Sequence, residues 1–354
     1  MLEKLLSLIM LLVSFFCGPI SGYPRADSAR GRELLESGAA FRNPVDPPTS
    51  PDPWIIRHDG IYYNCFSGAG NTIRVSGSAS LHTATRENAA IVWKSPQDEE
   101  SAMFREGYWA PELHRINGIW YIYVAACDGP NENHRMYCLE AETDDPMGSY
   151  RMKGKVSDAT DRWAIDGTVL EWRDGLYFIW SGWEGDENVA QNLYIAPMEN
   201  PWTICGERVL LSRPEYRWEK HGKPYVNEAP QMLIKDDGLF LVYSASGSWT
   251  DDYCLGMLRF VGDDPLDPGA WKKTRRPVFR RTKNVYGPGH CCFARSPDNS
   301  EDWLIYHAVA EKGGGWGARS TRMQPFTWKK GAPVFGKPVG LKYAIPIPSG
   351  DSFS

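Results

Sequence analysis

Short apolar stretches rich in Val, Ile, Leu and aromatic residues recur along the chain, each cut by a tight-turn signal and followed by a second aromatic run. The first reads Asp52-Pro-Trp-Ile-Ile-Arg-His-Asp-Gly-Ile-Tyr-Tyr-Asn-Cys-Phe66. The second runs from Trp109-Ala-Pro-Glu-Leu-His114 through Asn117-Gly118 to Trp120-Tyr-Ile-Tyr-Val124. The third is Asp166-Gly-Thr-Val-Leu-Glu-Trp-Arg-Asp-Gly175 with Leu176-Tyr-Phe-Ile-Trp180, and the fourth is Glu228-Ala-Pro-Gln-Met-Leu-Ile-Lys-Asp-Asp-Gly238 with Leu239-Phe-Leu-Val-Tyr243. The fifth opens at His290, turns at Ser296-Pro-Asp-Asn-Ser300 and continues as Trp303-Leu-Ile-Tyr306. Asp-Gly and Asn-Gly between apolar runs predict β-hairpins, because both central residues of the favoured turn need positive φ.

The units start at 52, 109, 166, 228 and 290, giving steps of 57, 57, 62 and 62 residues. A period near 60 with internal hairpins fits a four-stranded propeller blade, so the predicted class is all-β and the architecture a five-bladed β-propeller. A β-sandwich would also show hairpins, but not one unit at even steps over most of the chain. Residues 23–42 read as an N-terminal strap, 43–354 as one propeller domain, and the Pro- and Gly-rich 329–354 as a return that closes the ring.

The start of the chain departs from this pattern. Met1-Leu-Glu-Lys precedes an apolar run from Leu5 to Phe16 and then Cys17-Gly-Pro-Ile-Ser-Gly22. That order predicts a secretory leader over residues 1–22, too short for a membrane span. A secreted, extracellular protein is expected, with no membrane association once the leader is gone. Seven cysteines follow Cys17, so an oxidising compartment leaves at least one thiol unpaired. No Asn-x-Ser/Thr sequon occurs. The net charge is −5, and Lys and Arg read as scattered with no basic tract, which argues against nucleic acid or an anionic membrane as partner. A monomer is expected. G-x-S-x-G, P-loop and H-E-x-x-H motifs are absent from the sequence.

In a propeller the first strand of each blade lines the central channel, so the residues opening the five units converge on one mouth. Four units supply an acid there (Asp52, Glu112, Asp166 and Glu228), and the fifth supplies His290. Crowding carboxylates into one funnel is electrostatically costly. Glycoside hydrolysis uses such an arrangement: one protonated carboxyl serves the leaving oxygen, and an ionised one activates water from the other face. A further acid beside the donor keeps it protonated.

These stretches resemble glycoside hydrolase family 43, the arabinanases, arabinofuranosidases and β-xylosidases. The likeness is carried by Asn43-Pro44 with Asp52-Pro53, Trp109-Ala-Pro-Glu-Leu-His114, Ile165-Asp-Gly-Thr168, Asn227-Glu-Ala-Pro230 and Gly287-Pro-Gly-His290. It implies Asp52 as general base, Glu228 as general acid, and Asp166 as the residue tuning and orienting that acid. Asp46 precedes Asp52 but lacks its Asp-Pro context. His290 resembles a channel histidine that contacts a calcium or sodium ion through water; such an ion would be structural, and no cofactor is required for the chemistry. Trp109 and Trp54 are read as sugar platforms. Of Arg319 and Arg322, the first is read as reaching the sugar. Glu112, His114, His134 and His307 are read as structural hydrogen-bonding residues.

The segments 120–126, 133–137 and 244–249 are most similar to the arabinofuranosidase branch. The expected activity is therefore release of terminal α-L-arabinofuranose from arabinan or arabinoxylan of the plant cell wall, with inversion. A β-xylosidase, an endo-arabinanase and a non-catalytic sugar-binding propeller lectin are the alternatives. The unlike residues at the five blade starts favour one catalytic site over a repeated lectin pocket.

Overall fold

The computed structural model describes residues 22–99 and 101–351. Of residues 1–22, read above as a leader, all but Gly22 lie outside that range. Among the described residues no helix is long and apolar enough to cross a membrane.

Five antiparallel blades follow one another round a central axis. Blade 1 contains Trp54–His58, Ile61–Gly68, Thr72–Ser78 and Ala90–Lys94, and blade 2 contains Glu106–Ile116, Ile119–Cys127, Arg135–Ala141 and Tyr150–Val156. Blade 3 is built on Ala164–Trp172, Gly175–Gly182 and Ala190–Asn200; both Thr203–Ile204 and Val209–Ser212 pair with the last of these. Tyr225–Lys235, Gly238–Ala245, Cys254–Phe260 and Trp271–Lys273 make blade 4, and Tyr286–Arg295, Asp302–Val309, Ser320–Lys329 and Ala332–Val334 make blade 5. Blades 3 and 4 are further joined by a short parallel pairing of Ala190 and Gln191 with Tyr225 and Val226.

The core lies between blades rather than at the centre of the ring. In Ile119–Cys127 of blade 2, Trp120, Ile122, Val124 and Ala126 pack with Cys65, Ile73 and Val75 of blade 1. The intervening Tyr121, Tyr123 and Ala125 pack with Val169, Phe178 and Trp180 of blade 3. Successive side chains leave a strand on opposite faces, so a strand between two blades must be apolar at every position. That is why the inner runs read as continuous rather than alternating.

The hairpins differ in detail from the sequence expectation. Asp59-Gly60 and Asn117-Gly118 have positive φ at both residues, as a type I′ turn requires. In blades 3 and 4 the turn sits one residue earlier. Its central pairs are Arg173-Asp174 and Asp236-Asp237, with positive φ at the first only, and Gly175 and Gly238 already belong to the next strand.

The segment before blade 1 runs along blade 5. Ser28 caps the helix Ala29–Glu36 by accepting the Gly31 N–H. Ala40–Phe41 then pairs with Ile345–Pro346, and Asn43 exchanges two hydrogen bonds with the backbone of Met323, 280 residues away. All seven described cysteines are free, and only Cys205 is exposed.

One charge reading is corrected here. Between Lys272 and Lys283 the chain carries seven Lys or Arg and no Asp or Glu. The whole-chain balance of −5 hid that tract. It follows the outermost strand of blade 4 and is tied back to the blade by the Val278 N–H to the Leu255 carbonyl and the Leu255 N–H to the Phe279 carbonyl.

Candidate active site

Every inner strand has a left-handed residue in or just before its first few residues: Asp52 (φ 54°), Ala110 (φ 43°), Asp166 (φ 53°), Ala229 (φ 48°) and His290 (φ 45°). Such backbone is disfavoured for non-glycine residues, and alanine, unlike aspartate, has no polar side chain to offset the cost with a local hydrogen bond. In blades 2 to 5 the pairing register shifts at this point, between Trp109 and Glu112, Ile165 and Thr168, Glu228 and Gln231, and Gly289 and Cys291. These are β-bulges, which re-aim side chains at a strand end. At Asp166 the next residue must also be small, because a Cβ on Gly167 would lie 2.2 Å from Phe178.

These left-handed turns of backbone bring Asp52, Asp166, Glu228 and His290 together. Asp52 Oδ1 lies 3.1 Å from Arg319 Nη1 and 3.2 Å from Nδ1 of both His290 and His307. Burial opposes ionisation of Asp52, but Arg319, His290 and His307 overcome it and hold the carboxyl far below the usual range. The Asp52 N–H donates to His307 Nδ1 at 3.1 Å. Burial lowers His307 to about 3, so the ring is neutral near neutral pH. Asp52 is therefore a fixed, ionised carboxylate.

Glu228 has the opposite environment. Burial raises it to about 7, with Asp52 adding repulsion; a hydrogen bond from Tyr253 Oη to Oε1 at 2.9 Å acts the other way. Asp166 is also raised, by burial and by Glu228 and Asp52. Its Oδ2 accepts the Ala229 N–H at 3.1 Å, so Asp166 holds the backbone beside Glu228 from the neighbouring blade. Glu228 and Asp166 repel one another when both are charged, so near neutral pH the pair retains a proton. One ionised carboxylate thus shares the mouth with a pair that retains a proton.

The other predicted residues are placed as follows. Trp109 is 41% exposed at the mouth, its ring stacked on His134 at 3.8 Å, which leaves one indole face free. Trp54 is not at the mouth. Its Nε1 donates to the Leu113 carbonyl, its ring packs on His114, and it lines a cavity of about 710 Å³ further along the channel. Two residues beyond the left-handed Asp52, the strand has already carried its side chain past the acids. Glu112 is likewise deeper: it bonds His114 Nε2 at 2.9 Å and Gln231 Nε2 of blade 4, bridging the channel below the mouth. Arg319 reaches Asp52 rather than open space, and Arg322 is fully buried. Asp46 is buried and accepts the Arg86 N–H rather than joining the acids. His290 spends Nδ1 on Asp52 and its N–H on Ser244. Among the described residues no group of three His, Cys, Asp or Glu is placed to hold an ion directly, and no chemistry below is routed through one.

Sequence reasoning missed Tyr253 and the part played by His307. Tyr253 stacks on His307 at 5.5 Å while bonding Glu228, so one tyrosine braces both sides of the site.

The sequence profile described as "Glycosyl hydrolases family 43" matches residues 41–333. The chain is similar to an extracellular exo-α-(1→5)-L-arabinofuranosidase of Streptomyces chartreusis, 36% identical over 277 residues, which is 76% of this chain and 83% of that protein. It is 33% identical to α-L-arabinofuranosidase B of Pyricularia oryzae over 316 residues, covering 84% of this chain but 62% of that one. A solved structure of an α-L-arabinofuranosidase from Lactobacillus brevis superposes with a TM-score of 0.80 at 36% identity, over 86% of this chain and 98% of the other.

Proposed function

Because the chain belongs to glycoside hydrolase family 43 and is a glycosidase, we propose that it releases terminal α-L-arabinofuranose from arabinan or arabinoxylan by inversion at the anomeric carbon. The observation that carries the reading is the division of the acids into one held ionised, Asp52, and a raised pair, Glu228 and Asp166, that retains a proton. The arabinose assignment draws on the relatives named above, and extracellular action on their names together with the leader-like start of the chain.

In the proposed reaction Glu228 gives its proton to the glycosidic oxygen as the C1–O bond breaks. A water on the opposite face adds to C1 and passes its proton to Asp52. The product is the inverted sugar; Asp52 ends protonated and Glu228 ionised, and exchange with solvent restores both. Asp166 keeps Glu228 aimed through the Ala229 N–H. The free face of Trp109 supplies a platform for a sugar ring.

Nitrophenyl α-L-arabinofuranoside should be turned over well ahead of nitrophenyl β-xyloside, and proton NMR should show the inverted anomer formed first. A preference for the xyloside would overturn the substrate, and a retained anomer the mechanism. The pH profile follows from the same asymmetry. Glu228 must be protonated and is raised to about 7, so kcat/KM should fall tenfold per pH unit above that point. Asp52 is held far below the usual carboxylate range, so no matching acidic limb should appear. A bell with an acidic limb near pH 4 to 5, about where an ordinary carboxyl titrates, would count against Asp52 as the base.

A further inference from the structure

The basic tract 272–283 serves no part of the chemistry above. Lys273 is used internally, paired with the buried Glu219 at 2.7 Å, and Lys272 bonds the Gly269 carbonyl. Arg281 pairs with Asp252 at 2.6 Å. Arg275, Arg276, Arg280 and Lys283 are exposed and form no ion pair among the described residues. Four unpaired like charges on one loop repel each other and add nothing to folding. In a chain of net charge −5 the concentration is local, and it suits an anionic partner.

The loop's position narrows the partner. Trp271–Lys273 runs antiparallel to Cys254–Phe260, so the segment after it emerges at the end of the blade where Cys254 starts and Tyr286–Arg295 begins. That is the face on which the acids open. There Arg280, Arg281 and Lys283 line a cavity of about 440 Å³ together with Trp218, His221 and Asp252. Asp252 is the chain neighbour of Tyr253, which bonds Glu228. An aromatic ring beside several cations, next to a sugar-cleaving site, matches a carbohydrate that carries carboxylates.

We propose that Arg276, Arg280 and Lys283, with the Trp218 cleft, bind the carboxylates of a uronate-bearing polysaccharide, docking the acidic chain whose neutral side branches reach the active site. The proposal rests on the glycosidase reading for its meaning but can be tested apart from it. The probe is polygalacturonate, which carries no arabinose, compared with neutral debranched arabinan by calorimetry and affinity electrophoresis. The protein should retard in polygalacturonate, and raising salt to about 300 mM, where screening acts over less than ~10 Å, should abolish that. Arg276→Ser/Arg280→Ser/Lys283→Ser should weaken polygalacturonate binding at least tenfold while leaving nitrophenyl arabinofuranoside turnover unchanged. The Lys-for-Arg double variant Arg276→Lys/Arg280→Lys should keep most of it.

Equal affinity for polygalacturonate and neutral arabinan, salt-insensitive binding by the unaltered protein, or undiminished binding by the serine variant would each overturn the proposal. Tighter retention on duplex DNA or phosphatidylserine vesicles would do the same, by assigning the patch to another polyanion. The salt arm uses the unaltered protein, so the result stands even if the triple variant fails to fold. Binding without arabinoside turnover would keep the docking patch and sink the proposed function; turnover without binding would do the reverse.

Discussion

Glu228→Gln lowers kcat/KM on natural arabinosyl linkages by about 10³, within the range that general acid catalysis supplies, and lowers it far less on nitrophenyl substrates. An alkoxide leaving group needs a proton as its bond to C1 breaks, whereas nitrophenolate leaves without one. The amide keeps the volume and can still receive the Tyr253 hydroxyl, so binding should change little and the loss should fall on kcat. Thermal stability should move the other way. Burial raises the Glu228 carboxyl in the folded state, so folding opposes its ionisation. The protein is penalised once pH passes the unfolded value, near 4.3, with the full penalty reached above about 7. A neutral amide removes that penalty, so Tm measured at pH 8 should rise relative to the unaltered protein, and the difference should vanish near pH 4. Equal, small losses on both substrate classes would remove Glu228 from the acid's role.

Asp52→Asn should be at least as damaging, by about 10³ to 10⁴ in kcat on both substrate classes alike, since water must be deprotonated whatever the leaving group. The change also strips Arg319 and His290 of the carboxylate they share, so some stability goes with the activity. Azide separates the two effects. As an anion it attacks C1 without needing a base, forming a C–N bond while Glu228 protonates the leaving oxygen. It should restore turnover in Asp52→Asn and yield the inverted glycosyl azide, identified by NMR. Rescue with retained configuration, or none at all in a variant whose Tm is near normal, would move the base elsewhere.

Much of this site was legible in the chain because one backbone device recurs. The turn signals and apolar runs gave the blade period, and the period brought Asp52, Asp166, Glu228 and His290 to one mouth. What stayed hidden has two physical sources. The first is register: a one-residue bulge decides whether a side chain meets the mouth or the channel, and nothing local distinguishes Trp54, which lies deeper, from Trp109, which is exposed. The second is distance along the chain. The contacts that set the charge on Asp52 come from His307 and Arg319, 255 and 267 residues away, and Tyr253 reaches Glu228 from a loop with no repeat signature. The tract 272–283 was visible throughout and was lost only by averaging over the whole chain.

The left-handed position also sets two kinds of seat that the blades fill differently. Asp52, Asp166 and His290 occupy the left-handed position itself, while in blades 2 and 4 that position is alanine and the residue just before it, Trp109 or Glu228, faces the mouth. The proposed sugar platform and the proposed proton donor are thus the same seat in two copies of one module. Exchanging side chains between copies is then a question of chemistry rather than of backbone, and a ring of near-identical parts becomes an asymmetric machine through five residue choices.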